Sequence, residues 1–193
     1  MLGLKLPTDP RWVNIAEKNI EEILIDHAFC EQKAASNGIS LIVQFPERRK
    51  LVDVLTDIVA EEWSHFERVL EELKKRGYHL GRKRADEYAV ALNKLERKGG
   101  AIERQLMDKL LISALIEARS CERFKLLSQQ IADDSLKKFY YELMISEAGH
   151  YTTFLELAKE YMPEETVKTR WEELLQAEAE IIKSLEVRGD RMH

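Results

Sequence analysis

The sequence predicts an all-α protein built on a bundle of four long helices. Three observations carry that reading. Only 8 glycines and 4 prolines interrupt 193 residues, which favours long helices over many short strands. Apolar residues recur at three- and four-residue spacing over long stretches. No stretch sustains a two-residue alternation, so no sheet is expected. The length and a 45% hydrophobic content suit one sizeable core, and residues 1–193 are expected to form a single domain.

The elements follow in order. Thr8 or Asp9 can cap a first helix with Pro10 at its first position. Its apolar positions run Ile20, Leu24, Ala28, Ala35, Ile42. Asn37-Gly38 resembles a stop signal, but Ile39, Leu41, Ile42 and Val43 follow at once and the next breaker is Pro46. The helix is therefore expected to reach about Val43, with Gly38 costing about 1 kcal/mol inside it. A second helix spans about Glu47 to Arg76 (Leu51, Leu55, Ile58, Val69, Leu73) and stops near Gly77. A short basic helix near 83–97 ends at Gly99-Gly100 and lies between the two hairpins. A third long helix runs to about Gln130, "ADDS" caps a fourth at about 134–161, and Pro163 closes it. An extra C-terminal helix, about 164–187, carries Trp171, Leu174, Leu175, Ile181 and Ile182.

Composition excludes several classes. Cys30 and Cys121 fit no CxxC or zinc spacing, and each reads as a buried thiol in a reducing compartment. No run approaches the roughly 20 apolar residues that span a bilayer, and "MLGLKLPTDPRW" has no apolar signal region. A cytoplasmic protein without a membrane partner is expected. The net charge of −5 hides an asymmetry: between Lys74 and Gly100 nine Lys or Arg face three acids. A basic patch on an acidic chain points to a specific anionic partner.

The chemistry is carried by a repeated pair. Glu62 and His65 in "AEEWSHF" recur as Glu147 and His150 in "SEAGHYT". Residues three apart lie about 60° around a helix axis and about 4.5 Å along it, so both can reach one cation. With 26 Glu and 5 His, roughly 0.7 such pairs arise by chance. Hairpin geometry is the sharper test, because residues at one height lie equally far from the turn. The midpoint of Glu31 and Glu62 falls between Pro46 and Glu47, in the turn "QFPER", and that of Glu117 and Glu147 on Ala132 in the cap "IADDS". Each hairpin thus supplies one lone Glu at the height of its Glu-x-x-His. An unpaired carboxylate in a bundle core is very costly, and metal coordination removes that cost. Glu122 rivals Glu117, since "SCER" echoes "FCEQ", but it lies about 140° around the helix from Glu117. Glu61 points about 100° away from Glu62. His27 and His79 have no Glu at the same spacing and are read as non-ligands, His27 lying near the cavity one turn from Glu31. Trp63 and Phe66 are read as core.

Glu31, Glu62, His65, Glu117, Glu147 and His150 make four carboxylates and two imidazoles. This is the ligand set of the ferritin-like dinuclear carboxylate bundles. The four negative charges balance two divalent ions, and mixed oxygen and imidazole ligation suits iron or manganese.

Four segments, "DHAFCEQKAAS", "EEWSHFERVLEELKKRG", "LLISALIEARSCERFKLL" and "SEAGHYTTFLELA", together resemble the tRNA 2-methylthio-isopentenyladenosine hydroxylase family, most specifically at "EARSCERF". The resemblance implies a non-haem di-iron monooxygenase that hydroxylates the isopentenyl group of a hypermodified adenosine beside the anticodon. It implies two iron ions held by the six residues above, dioxygen as co-substrate, and an external electron donor or redox partner. The tRNA anticodon stem-loop would be the partner of a monomer or small oligomer. Lys74, Lys75, Arg76, Arg82, Lys83 and Arg84 are then expected to neutralise its phosphates, with Tyr78 and His79 placed to stack on an exposed base. The alternative within the fold is a ferroxidase or peroxidase of ferritin or rubrerythrin type. Such a storage protein has no reason for the basic excursion, and two isolated cysteines cannot build a rubrerythrin-type cysteine-ligated iron site. A non-catalytic RNA-binding module is a further rival, separated by metal analysis.

Overall fold

A computed structural model describes residues 2–82 and 85–192. Among the described residues there are seven α-helices and no strand: α1 (Trp12–Glu17), α2 (Ile20–Gln44), α3 (Arg49–Lys75), α4 (Glu87–Asn93), α5 (Ile102–Gln130), α6 (Asp134–Tyr161) and α7 (Glu164–Ser184). Among the described residues no helix is long and apolar enough to cross a membrane. The chain divides into two compact units. One holds residues 15–85 with 189–192, the other residues 1–14 with 86–188.

The first unit is the α2–α3 hairpin. On α3 the buried positions Leu51, Leu55, Ile58, Glu62, His65, Val69 and Glu72 alternate steps of four and three. That is the spacing of a helix seam facing its partner. On α2 the same rhythm runs Leu24, Ala28, Glu31, Ala35, Gly38. Gly38 is where the helices approach: a Cβ there would stand 2.5 Å from Val59 Cγ2. Close packing therefore explains this glycine, and its helix-propensity cost is offset by contact. A tail strap completes the unit, with Met192 N–H donating to Asp26 Oδ2 at 2.7 Å.

The second unit packs α6 and α7 on α5. The seam continues on α6 (Leu136, Tyr140, Leu143, Glu147, His150, Phe154, Leu157) and on α5 (Leu106, Leu110, Ser113, Glu117, Ser120, Phe124, Leu127). Asp133 caps α6, accepting from the N–H groups of Ser135 and Leu136. On α5, Arg119 is wholly buried. It donates to Glu178 Oε1 at 2.6 Å, to the Leu6 carbonyl at 2.9 Å, and to Glu122. Thr8 Oγ1 donates to Glu122 at 2.6 Å, and Tyr88 to Glu178 at 3.1 Å. One guanidinium therefore ties the N-terminal segment to α5 and α7.

Some boundaries depart from expectation. The first long helix is interrupted at Asn19, whose side-chain amide donates to the Ile15 carbonyl at 2.8 Å. Local side-chain bonds of this kind compete with helix hydrogen bonds, and α2 begins afresh with Ile23 N–H donating to the Asn19 carbonyl. Thr8 does not cap a helix, because its hydroxyl is committed to Glu122. Asp9 starts the turn, accepting from Arg11 N–H at 2.8 Å. The short basic helix is only Glu87–Asn93, capped by Asp86. Lys94, Arg97 and Lys98 lie beyond it, and Arg97 is drawn to the buried Asp108 at 2.6 Å. Trp63 is 46% exposed rather than core, lying 5.0 Å from the Phe66 ring. Cys121 is buried, whereas Cys30 is half-buried.

Candidate metal centre

Each hairpin places one triplet of donors in its own seam. In the α2–α3 unit, Glu31, Glu62 and His65 are all buried, and their nearest ligand atoms lie within 4.8 Å of one another. His65 Nδ1 stands 3.6 Å from Glu31 Oε2 and 3.8 Å from Glu62 Oε2. In the other unit, Glu117, Glu147 and His150 are likewise buried, with ligand atoms within 4.8 Å of one another. His150 Nδ1 stands 3.8 Å from Glu147 Oε2. With metal–ligand distances of about 2.1 Å, donors round one ion lie about 3.0 to 4.2 Å apart, and these separations fall inside that span. These are buried carboxylate and imidazole donors of the kind that hold a metal.

The donor set fits iron. Carboxylates buried beside imidazoles match a hard or borderline divalent ion better than a thiolate-seeking one. Cys121 does not enter the set. Burial first, and the Glu147 charge next, push its thiol up to about 12, so it stays protonated. Its Sγ donates to the Met144 carbonyl at 3.3 Å.

The neighbours are accounted for. Glu122 lies on the far face of α5 with Arg119 and Thr8, which removes it as a rival to Glu117. Glu61 is exposed. His27, read from the sequence as a non-ligand, is wholly buried and hydrogen-bonds Glu31 through Nε2 at 2.6 Å. Sequence reasoning misses that bond, although the i, i+4 spacing of the two residues is its signal.

The basic segment is partly spent on internal pairs. Lys75 reaches Glu72 at 2.7 Å, Arg76 pairs with the same carboxylate, and Lys98 lies 3.5 Å from Glu96. Lys74 and Arg82 are exposed. Lys83 and Arg84 lie outside the described residues. Lys74, Tyr78, His79 and Leu80 line a hollow of about 390 Å³ at the end of α3.

Comparison with known proteins supplies the family. The chain is 39% identical over 181 residues to a Pseudomonas putida protein named tRNA 2-(methylsulfanyl)-N(6)-isopentenyladenosine(37) hydroxylase, covering 94% of this chain and 87% of that one. A Salmonella typhimurium protein of the same name is 28% identical over 230 residues, covering 94% and 84%. Among solved structures, one described as protein 43 with aldehyde deformylating oxygenase activity from Synechococcus is 35% identical. It superposes with a TM-score of 0.93 over 98% of this chain and 94% of that one, and the fold class is the ferritin-like helical bundle. The family described as tRNA-(MS[2]IO[6]A)-hydroxylase (MiaE) matches residues 2–193, and the chain belongs to that family.

Proposed function

We propose that residues 1–193 work as one domain in which Glu31, Glu62, His65, Glu117, Glu147 and His150 hold two iron ions. The protein then hydroxylates the isopentenyl group of a hypermodified adenosine next to the anticodon in tRNA. The observation that carries this reading is the duplicated triplet, one lone Glu and one Glu-x-x-His, buried in the seam of each hairpin of a chain from a tRNA hydroxylase family.

Bound iron would supply the activation of dioxygen, with electrons from an external redox partner. The protein's own residues do the rest. The six side chains fix the ions, and their four carboxylate charges offset two divalent cations. The apolar seam residues on either side, Ile58 and Val69 on α3 and Leu143 and Phe154 on α6, keep bulk water from the donors.

Substrate contact falls to the last turn of α3 and the segment after it. Lys74, Lys75, Arg76 and Arg82, with Lys83 and Arg84, meet anticodon-stem phosphates. Tyr78 and His79, at the hollow beside them, offer rings on which a nucleobase stacks. The protein acts in the cytoplasm as a monomer or small oligomer.

The test is nucleoside analysis of tRNA bearing the prenylated adenosine, incubated with iron-loaded protein, reductant and oxygen. A hydroxylated nucleoside that depends on oxygen supports the reading, and unchanged tRNA with two irons per chain would sink it. Likeness to the Synechococcus protein favours aldehyde deformylation as a second reading, which formate release from an aldehyde would reveal.

A further inference from the structure

The two hairpins present the same donors but differ one turn away. Four residues before Glu31 stands His27, wholly buried. As Glu31 offers only carboxylate acceptors, the 2.6 Å contact is Nε2–H donating to Oε1. The other oxygen, Oε2, is the one that faces His65 Nδ1 at 3.6 Å. Four residues before Glu117 stands Ser113, whose hydroxyl donates to the Lys109 carbonyl at 3.1 Å. The lone Glu of one hairpin is therefore clamped by an imidazole, where the other hairpin carries a serine at the matching position.

We propose that His27 is a positioning residue that commits Glu31 Oε1 to a hydrogen bond and leaves Oε2 as its one metal-binding oxygen. The two cation positions are thereby made inequivalent. The inference rests on the reading that the six residues hold two ions. Its physical content is orientation. A glutamate on a helix has three rotatable bonds, and holding one oxygen fixes the direction of the other before the cation arrives. Groups that orient metal ligands in this way change metal affinity by about 10–100-fold when removed. The effect belongs to the position that Glu31 serves with His65 and leaves the position served by Glu117 and His150 unchanged.

The experiment is anaerobic titration of the metal-free full chain with ferrous ion, followed by calorimetry, with Mössbauer spectra of the iron-57 protein. Wild type, His27→Leu and His27→Gln are compared. His27→Leu is expected to weaken one of two sites by about 10–100-fold and to shift one of two quadrupole doublets. His27→Gln, whose amide N–H reaches the same place, restores both. His27→Met replaces His27→Leu if circular dichroism shows that variant unfolded. Two sites of wild-type affinity in the variant, equal loss of both, or no rescue by glutamine overturns the proposal. A wild-type chain that takes up no iron overturns the reading beneath it instead.

Discussion

Glu147 and His150 sit one seam step apart on α6, with His150 Nδ1 3.8 Å from Glu147 Oε2. Glu62 and His65 repeat that separation on α3. In both helices the pair occupies consecutive core positions, between Ile58 and Val69 on α3 and between Leu143 and Phe154 on α6. A leucine would suit the fold at each of these places. Glutamate and histidine stand there instead, and a buried carboxylate costs stability to the extent that neither a cation nor hydrogen bonds compensate it.

That cost can be measured. Glu147→Leu should lower iron uptake while making the metal-free protein more stable, by about 1–3 kcal/mol, as an apolar group replaces a buried polar one. Urea denaturation of the two metal-free proteins checks the sign. A less stable variant would mean that Glu147 is well compensated without metal.

Arg119 predicts the opposite result. It is wholly buried between Glu122 and Glu178, and Arg119→Met leaves both carboxylates in place with their cation gone. Breaking a buried pair from one side costs about 3–5 kcal/mol. The thermal midpoint should fall sharply, and proteolysis near Leu6 and Thr8 should quicken as the N-terminal segment loses its anchor. Glu122→Gln, which keeps an acceptor for Thr8, should cost less.

Much of this is readable from the sequence, because it depends on local periodicity. The long helices follow from apolar spacing, and the turns at Phe45-Pro46 and Ala132 follow from breakers and caps. With both hairpins laid out, matching Glu31 to Glu62 and Glu117 to Glu147 requires only equal distance from each turn. What escapes depends on residues far apart in the chain. Arg119 stands in the distinctive "EARSCERF", yet its role is set by Thr8 and Glu178, and Glu178 lies 59 positions away. The interruption at Asn19 is backed by Gly189, where a Cβ would come within 2.8 Å of the Asn19 amide. Trp63 is misread as core because an aromatic beside a core position carries no local mark of being exposed.

The surface charges divide into two kinds. Lys74, Lys75 and Arg82 are all exposed, but Lys75 shares Glu72 with Arg76. Lys74→Glu and Arg82→Glu should therefore weaken tRNA binding more than Lys75→Glu does. Removing a side chain that meets one phosphate should flatten the dependence of log K on log salt by about one unit. Filter binding of tRNA across a salt series reads both, and unchanged slopes would remove this face from the interface.

Acid should loosen the α4–α5–α7 unit at a defined point. Burial alone would raise the Asp108 pKa. Hydrogen bonds from the Arg97 side chain and backbone, and from Arg170, outweigh it and hold the carboxyl below its ordinary value of 3.8. A depressed carboxylate stabilises the fold above its unfolded pKa, and that contribution is lost as the pH falls through the folded one. In metal-free protein, the stability gap between wild type and Asp108→Asn should be full at pH 6. It should shrink below about pH 4 and vanish once Asp108 is protonated in the folded chain. A gap that stayed constant from pH 6 to pH 2 would show that Arg97 and Arg170 serve Asp108 through shape alone.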